Sequence, residues 1–89
     1  MKTVLFYFSK GAKTRARIVK LIESHNKRNK PIFLNSLARK LEMSHVAMKK
    51  HIALLEEYGY VKITNPDGKP LFLELTNRGK EVAKEFSSD

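Results

Sequence analysis

The hydrophobic period of this chain changes at Gly59, and that change limits the folds open to it. Before Gly59 the pattern is helical. Ile18, Leu21, Ile22 and His25 fall at i, i+3, i+4 and i+7, and Met48, Ile52 and Leu55 at i, i+4 and i+7, so each set forms one stripe on a helix. After Gly59 the period drops to two. Val61, Ile63, Leu71, Leu73 and Leu75 alternate with Lys62, Thr64, Phe72 and Glu74, the pattern of half-buried strands. The run Asn65-Pro66-Asp67-Gly68-Lys69-Pro70 separates the two alternating stretches and is rich in residues that suit a turn, so the region reads as a β-hairpin.

Local signals set the remaining boundaries. The first main helix spans Ala12 to about Asn26, with Arg15, Arg17 and Lys20 off its apolar stripe. A polar loop, residues 26–31, ends in a proline that biases Lys30 away from helix. Ile32-Phe33-Leu34 reads as a very short strand. Asn35 or Ser36 is expected to cap a second helix reaching about Glu42, with Leu37, Ala38 and Leu41 inward. Met43-Ser44 is a tight turn, and Ser44 caps a third helix that runs to about Tyr58. Gly59 is its C-terminal stop. Thr76 caps a last helix from Asn77 to about Phe86, with Val82, Ala83 and Phe86 inward. The expected organisation is an apolar N-terminal arm (1–11), one domain (12–86) and a frayed tail (87–89). The arm reads as strand or short helix. Its Val4, Leu5, Phe6 and Phe8 have no evident place in a core already filled, which suggests packing across a homodimer interface; the alternative is that the arm folds back onto its own domain.

At 89 residues the chain has room for one domain. It has no cysteine, so disulfides, thiolate metal sites and thiol catalysis are excluded. His25, His45 and His51 form no local metal-binding cluster, and no glycine-rich phosphate loop is present. The carboxylates of Glu56 and Glu57 are adjacent on a helix and so diverge. No enzyme activity, cofactor or metal is expected. The longest apolar stretch, Val4 to Phe8, is far short of the roughly 20 residues of a membrane span. The net charge of +9 favours a nucleic-acid partner, because each neutralised phosphate releases counterions. That charge is uneven: residues 1–35 hold nine Lys and Arg against Glu23 alone.

The stretches Leu37-Ala38-Arg39-Lys40-Leu41-Glu42-Met43-Ser44 and Met48 to Val61 resemble the winged helix-turn-helix regulators of the ArsR/MarR type. Thr14-Arg15-Ala16-Arg17-Ile18 and Leu75-Thr76-Asn77-Arg78-Gly79, the latter like the "LTxxG" that closes their wing, are similar as well. The lead-in Leu5 to Ala12 resembles small archaeal members. The resemblance covers about Leu5 to Phe86. It implies an α+β, mostly α, winged helix-turn-helix: a three-helix core, a two-stranded β-hairpin wing and a C-terminal helix. It also implies a cytoplasmic, nucleoid-associated, homodimeric transcriptional regulator that binds double-stranded DNA. Two departures stand out. The cysteines of the metal-sensing members are absent, and the chain is too short for the long extra helices that form an effector pocket, so no small-molecule effector is evident.

In that frame residues 44–58 form the recognition helix in the major groove, and residues 61–76 form a wing on the flanking backbone or minor groove. The expected DNA contacts are Ser44, His45, Val46, Lys49 and Lys50 on the helix, and Lys62, Asn65 and Lys69 in the wing. Arg15 and Arg17 on the first helix are expected to reach the backbone and so position the protein without reading sequence. Two other readings fit the same composition: a nucleoid-type architectural protein with low sequence preference, and a winged-helix protein-interaction module.

Overall fold

In the computed structural model the described residues are 5–7, 9–65, 67 and 72–87. Among them are four helices and one two-stranded sheet: α1 (Ala12–Lys27), α2 (Leu34–Lys40), α3 (His45–Glu57), β1 (Val61–Ile63), β2 (Leu73–Leu75) and α4 (Asn77–Ser87). The strands pair antiparallel, with Val61 opposite Leu75, Lys62 opposite Glu74 and Ile63 opposite Leu73. This is the winged helix-turn-helix anticipated from the sequence. The periodic residues face inward as expected: Ile18, Ile22, Leu37, Met48, Ile52 and Leu55 are each at most 2% exposed. Burial of such a side chain contributes about 1.5–3 kcal/mol. Leu21 is only partly buried, at the rim of this core.

The first three helices end in the same way. A residue in the left-handed region follows the C-cap, and the next amide turns back to a carbonyl of the last turn. In α1 the left-handed residue is Asn29 and the amide of Lys30 donates to His25. In α2 it is Glu42, with Met43 donating to Ala38, and in α3 it is Gly59, with Tyr60 donating to Leu55. This bonding satisfies carbonyls that would otherwise be orphaned at each helix end. Gly59 adopts its φ of 81° without strain, whereas Glu42 holds 54° with a Cβ in place. The turn between α2 and α3 is thus fixed by backbone bonding, which sets the angle at which α3 leaves α2.

Some boundaries depart from expectation. Helix α2 begins at Leu34, with Phe33 in the cap position and no side-chain cap bond, so Asn35 and Ser36 lie inside the first turn. The reason is the sheet. The carbonyl of Ile32 accepts from the Leu73 amide, Phe33 forms an isolated bridge with Phe72, and their rings lie 4.8 Å apart. The short strand expected at 32–34 is reduced to this bridge. Ser44 caps α3 as expected, its hydroxyl accepting from the Ala47 amide at 3.1 Å.

The N-terminal segment corrects the expectation of an arm that needs a partner. Phe6 is 4% exposed within its own chain. Its ring meets Tyr60 edge-on at 5.1 Å, and Tyr7 stacks on Phe86 at 5.4 Å. Residues 5–7 form a turn, neither strand nor helix. The core has room because Ala12, Ala16 and Ala83 are small where this segment and α4 pack on α1. Val4 and Phe8 lie outside the described residues.

Candidate nucleic-acid interface

Helix α3 presents a face divided by charge. Met48, Ile52 and Leu55 anchor its inner side, which turns Val46, Lys49, Lys50 and Ala53 to solvent. Val46 is 65% exposed, an unusual position for a β-branched apolar residue. His45 and the capping Ser44 are also exposed. Among the described residues no ion pair engages Lys49 or Lys50. The carboxylates of the exposed face, Glu56 and Glu57, are confined to the last turn. A polyanion laid on α3 therefore meets cations and the positive end of the helix dipole at one end and carboxylates at the other. Ala53 was missed by sequence reasoning. Its place seven residues after Val46 and four after Lys49 put it on the same face, and its small side chain allows close approach.

The wing is joined to the core by the Leu75-Thr76-Asn77-Arg78-Gly79 segment. The Thr76 hydroxyl donates to the Gly59 carbonyl at 2.6 Å and accepts from the Gly79 amide at 3.1 Å. Arg78 donates to the Tyr58 carbonyl at 2.8 Å and to the Tyr60 hydroxyl at 3.1 Å, with its guanidinium 4.6 Å from the Tyr60 ring centroid. At Gly79 a Cβ would collide with the Tyr60 carbonyl oxygen. The motif thus locks the end of α3, the strand that follows it and the start of α4. From α1, Asn26 reaches the other strand, β2: its side-chain oxygen accepts from the Leu75 amide at 3.1 Å.

Several predicted contacts occupy other positions than expected. Arg15 is 5% exposed. Its guanidinium donates to the Leu5 carbonyl (2.7 Å), the Ser9 hydroxyl (2.9 Å), the Lys10 carbonyl (3.0 Å) and His51 Nδ1 (3.3 Å). Arg15 is therefore spent on tying the N-terminal segment to α3 and is not offered to a phosphate. Burial pulls its pKa below the ordinary arginine value. The expectation failed because helical phase puts Arg15 beside Ile18, Val19 and Ile22, whatever its charge. His51 is half-buried; burial first, and the Arg15 charge second, hold its pKa below the ordinary histidine value. Asn65 closes the hairpin, its side-chain oxygen accepting from the Phe72 amide at 2.6 Å. Lys62 pairs with Glu74 across the strands at 3.0 Å, so its charge is shared with a carboxylate. Lys69 lies outside the described residues. Arg17 is exposed on α1, as expected. His25 is buried, with Nδ1 3.1 Å from the Leu21 carbonyl and Nε2 3.4 Å from Lys40 Nζ, an arrangement that suits donation from Nδ1 and acceptance at Nε2. Among the described residues no His/Asp/Glu group is arranged to hold a metal ion.

A shallow groove of about 880 Å³ runs between the N-terminal segment, the start of α1 and the end of α4, with Phe6, Tyr7, Ala12, Ala16 and Phe86 among its lining. No helix among the described residues is long and apolar enough to cross a membrane.

No family model matches the chain, and no curated protein is similar in sequence. Solved structures are. The adhesin competence repressor AdcR from Streptococcus pyogenes superposes with a TM-score of 0.71 at 25% identity, over 84% of this chain and 54% of its own. AF1382 from Archaeoglobus fulgidus superposes with a TM-score of 0.78 at 18% identity, over 98% of this chain and 91% of its own. MarR from E. coli gives 0.68 at 18%, over 81% and 52%. This chain spans about half the length of AdcR and MarR and most of AF1382. The winged-helix resemblance of MarR type that was read from the sequence therefore has its counterpart in solved folds, an archaeal one among them.

Proposed function

We propose that the chain is a DNA-binding transcriptional regulator that sets the N-terminal half of α3 in the major groove and its wing on the flanking backbone. The observation that carries this reading is the divided face of α3. Val46, Lys49 and Lys50 are exposed, no ion pair among the described residues engages the two lysines, and the acidic residues sit at the far end. Lys49 and Lys50 serve as phosphate or guanine contacts, Val46 as an apolar contact for a thymine methyl, and Ser44 and His45 as polar contacts at the helix start. The name of AdcR, a repressor, points the same way. Of the wing residues, Lys62 and Lys69 remain in the proposal. Asn65 has a structural bond of its own, and Arg15 is withdrawn. A homodimer belongs to the same proposal. Its contact surface is the apolar groove beside Tyr7 and Phe86, and it would present two recognition helices to two half-sites.

The test is fluorescence anisotropy with a labelled random duplex across a salt series, followed by selection from a random-site pool. Salt-sensitive binding with enrichment of one two-fold-related site is the expected result. Binding without enrichment would favour the architectural reading. No binding at low salt would leave a winged helix that meets another protein.

A further inference from the structure

The cations of the molecule are not all directed toward the α3 surface. On α1, Lys20 and Lys27 lie roughly half to a third of a turn from Arg15, the residue that reaches α3, so they look away from the recognition helix. Lys20, Lys27 and Arg28 line one shallow surface depression together with Glu23 and Ser24. Lys27, Lys80 and Lys84 line the adjoining one, with Glu23, Asn26 and Leu75. Arg28 is held in place by folding back on the Ser24 carbonyl (3.2 Å) and hydroxyl (3.3 Å). Helix α4 sorts its charges to match. Lys80 and Lys84, one turn apart, face α1, while Glu81 and Glu85 fall on its other flank, where Glu85 accepts from Tyr7 at 3.1 Å. Among the described residues, five cations thus share one face with a single carboxylate, Glu23, which is already drawn to Lys27 at 3.8 Å.

We infer that this α1–α4 face is a second, sequence-independent binding surface for a DNA duplex, so that one molecule holds two duplex segments at once. A second copy of the chain does not fit there, because two such faces would repel. The apolar groove lies toward the start of α1, where α4 ends, and meets this face only at Lys20, which lines both; Lys27, Arg28, Lys80 and Lys84 lie outside the groove and stay open when it is covered. The body measures 34 × 26 × 22 Å, which is enough to keep two duplexes on opposite sides apart. The surface offers charge without a base-reading element, and that suits the phosphate backbone. The inference rests on the proposed DNA binding through α3 and extends it from occupying a site to bridging.

The experiment is a two-duplex capture. A biotinylated duplex is immobilised, protein is added, and retention of a second, fluorescent duplex is measured at low and moderate salt. Single-duplex affinity is measured separately by anisotropy. The wild type is expected to retain the second duplex. Lys27→Ala/Lys80→Ala/Lys84→Ala, all solvent-exposed positions outside the apolar groove, should keep its circular dichroism and bind one duplex within a few-fold of wild type, yet lose capture at least about tenfold. Lys49→Ala/Lys50→Ala should lose enrichment of a selected site while still binding random duplex through the second face. Capture that persists undiminished in the triple variant would mean bridging by paired recognition helices and would overturn the inference. So would wild type that binds one duplex tightly and captures no second. Failure of every form to bind any duplex would overturn the inference together with the proposed function, a pattern distinct from either of the others.

Discussion

Arg15 and Arg17 stand two residues apart on the same helix and have opposite uses. Arg15 points inward and makes four hydrogen bonds that join Leu5, Ser9 and Lys10 to His51 of α3. Arg17 points outward and lies on the rim of a groove. The same division runs through the whole molecule. Arg78 clamps the end of α3 to the wing joint, whereas Lys49 and Lys50 are left to solvent. A net charge of +9 therefore overstates what is available to a polyanion, and the helical phase of each cation, not its charge, decides whether it builds the fold or meets a partner.

The inner cations should dominate stability. Arg15→Ala would strip the Leu5 and Lys10 carbonyls of their donor and leave a void beside Gly11 and His51. A loss of about 2–3 kcal/mol is expected in urea denaturation, since hydrogen bonds to a charged group are worth about 1.5–3 kcal/mol each and the exposed carbonyls recover part of that from water. Arg15→Lys should rescue little, because an ammonium cannot span four acceptors in a fork. A change below about 0.5 kcal/mol would show that the tether to α3 is idle. Arg78→Ala should cost less, about 1–2 kcal/mol, because Arg78 is exposed and Thr76 still pins Gly59 and Gly79. Equal losses at the two sites would break the distinction between a buried clamp and an exposed one.

This distinction shows how far the sequence could be read. The elements and their order were legible because the periods at Ile18–His25, Met48–Leu55 and Val61–Leu75 report burial directly. The face of α3 was legible for the same reason: Met48 and Ile52 fix which residues look outward. What escaped was the use of polar groups. Arg15 sits in phase with buried neighbours, but its charge suggested a surface role, and its acceptors are carbonyls that carry no residue-type signal. Asn65 was read as a wing contact because turn residues and contact residues share a composition. The Leu75–Gly79 motif was visible as a resemblance, while its cause, the close approach of Gly79 to the Tyr60 carbonyl, exists only in three dimensions. The same limit applies to α2. Phe33 looks like an unlikely cap until Phe72 is seen beside it.

The outer cations should affect binding and leave stability within about 0.5 kcal/mol. Lys50→Ala is expected to weaken binding to a selected site by about 1–3 kcal/mol if it pairs with a guanine, with relaxed preference at that base pair alone. Arg17→Ala should weaken all sequences equally and lower the slope of log affinity against log salt by about 1. An Arg17 variant that loses stability as Arg15→Ala does, with an unchanged salt slope, would erase the inner–outer division on α1.

The smallest expected effect tests the inner side through pH. His51 faces Arg15 from α3; Gly11 of the N-terminal turn is the other near neighbour, and no carboxylate among the described residues pairs with the ring. Burial and the Arg15 charge both disfavour the imidazolium, so its folded pKa lies below the ordinary 6.5. The unfolded chain then binds the proton more readily than the folded one, and stability must fall as protons are added. His51 should contribute its full share above about pH 6.5, lose it progressively as the pH drops toward the depressed folded value, and change nothing above pH 7. The comparison is of Tm from pH 8 to pH 5 in wild type and in His51→Gln, whose side-chain oxygen can still accept from Arg15. The wild type should show the steeper decline, and the two curves should run parallel above pH 7. Parallel curves over the whole range would mean that protonated His51 and Arg15 coexist without strain and that the contact between α1 and α3 is looser than a 3.3 Å hydrogen bond implies.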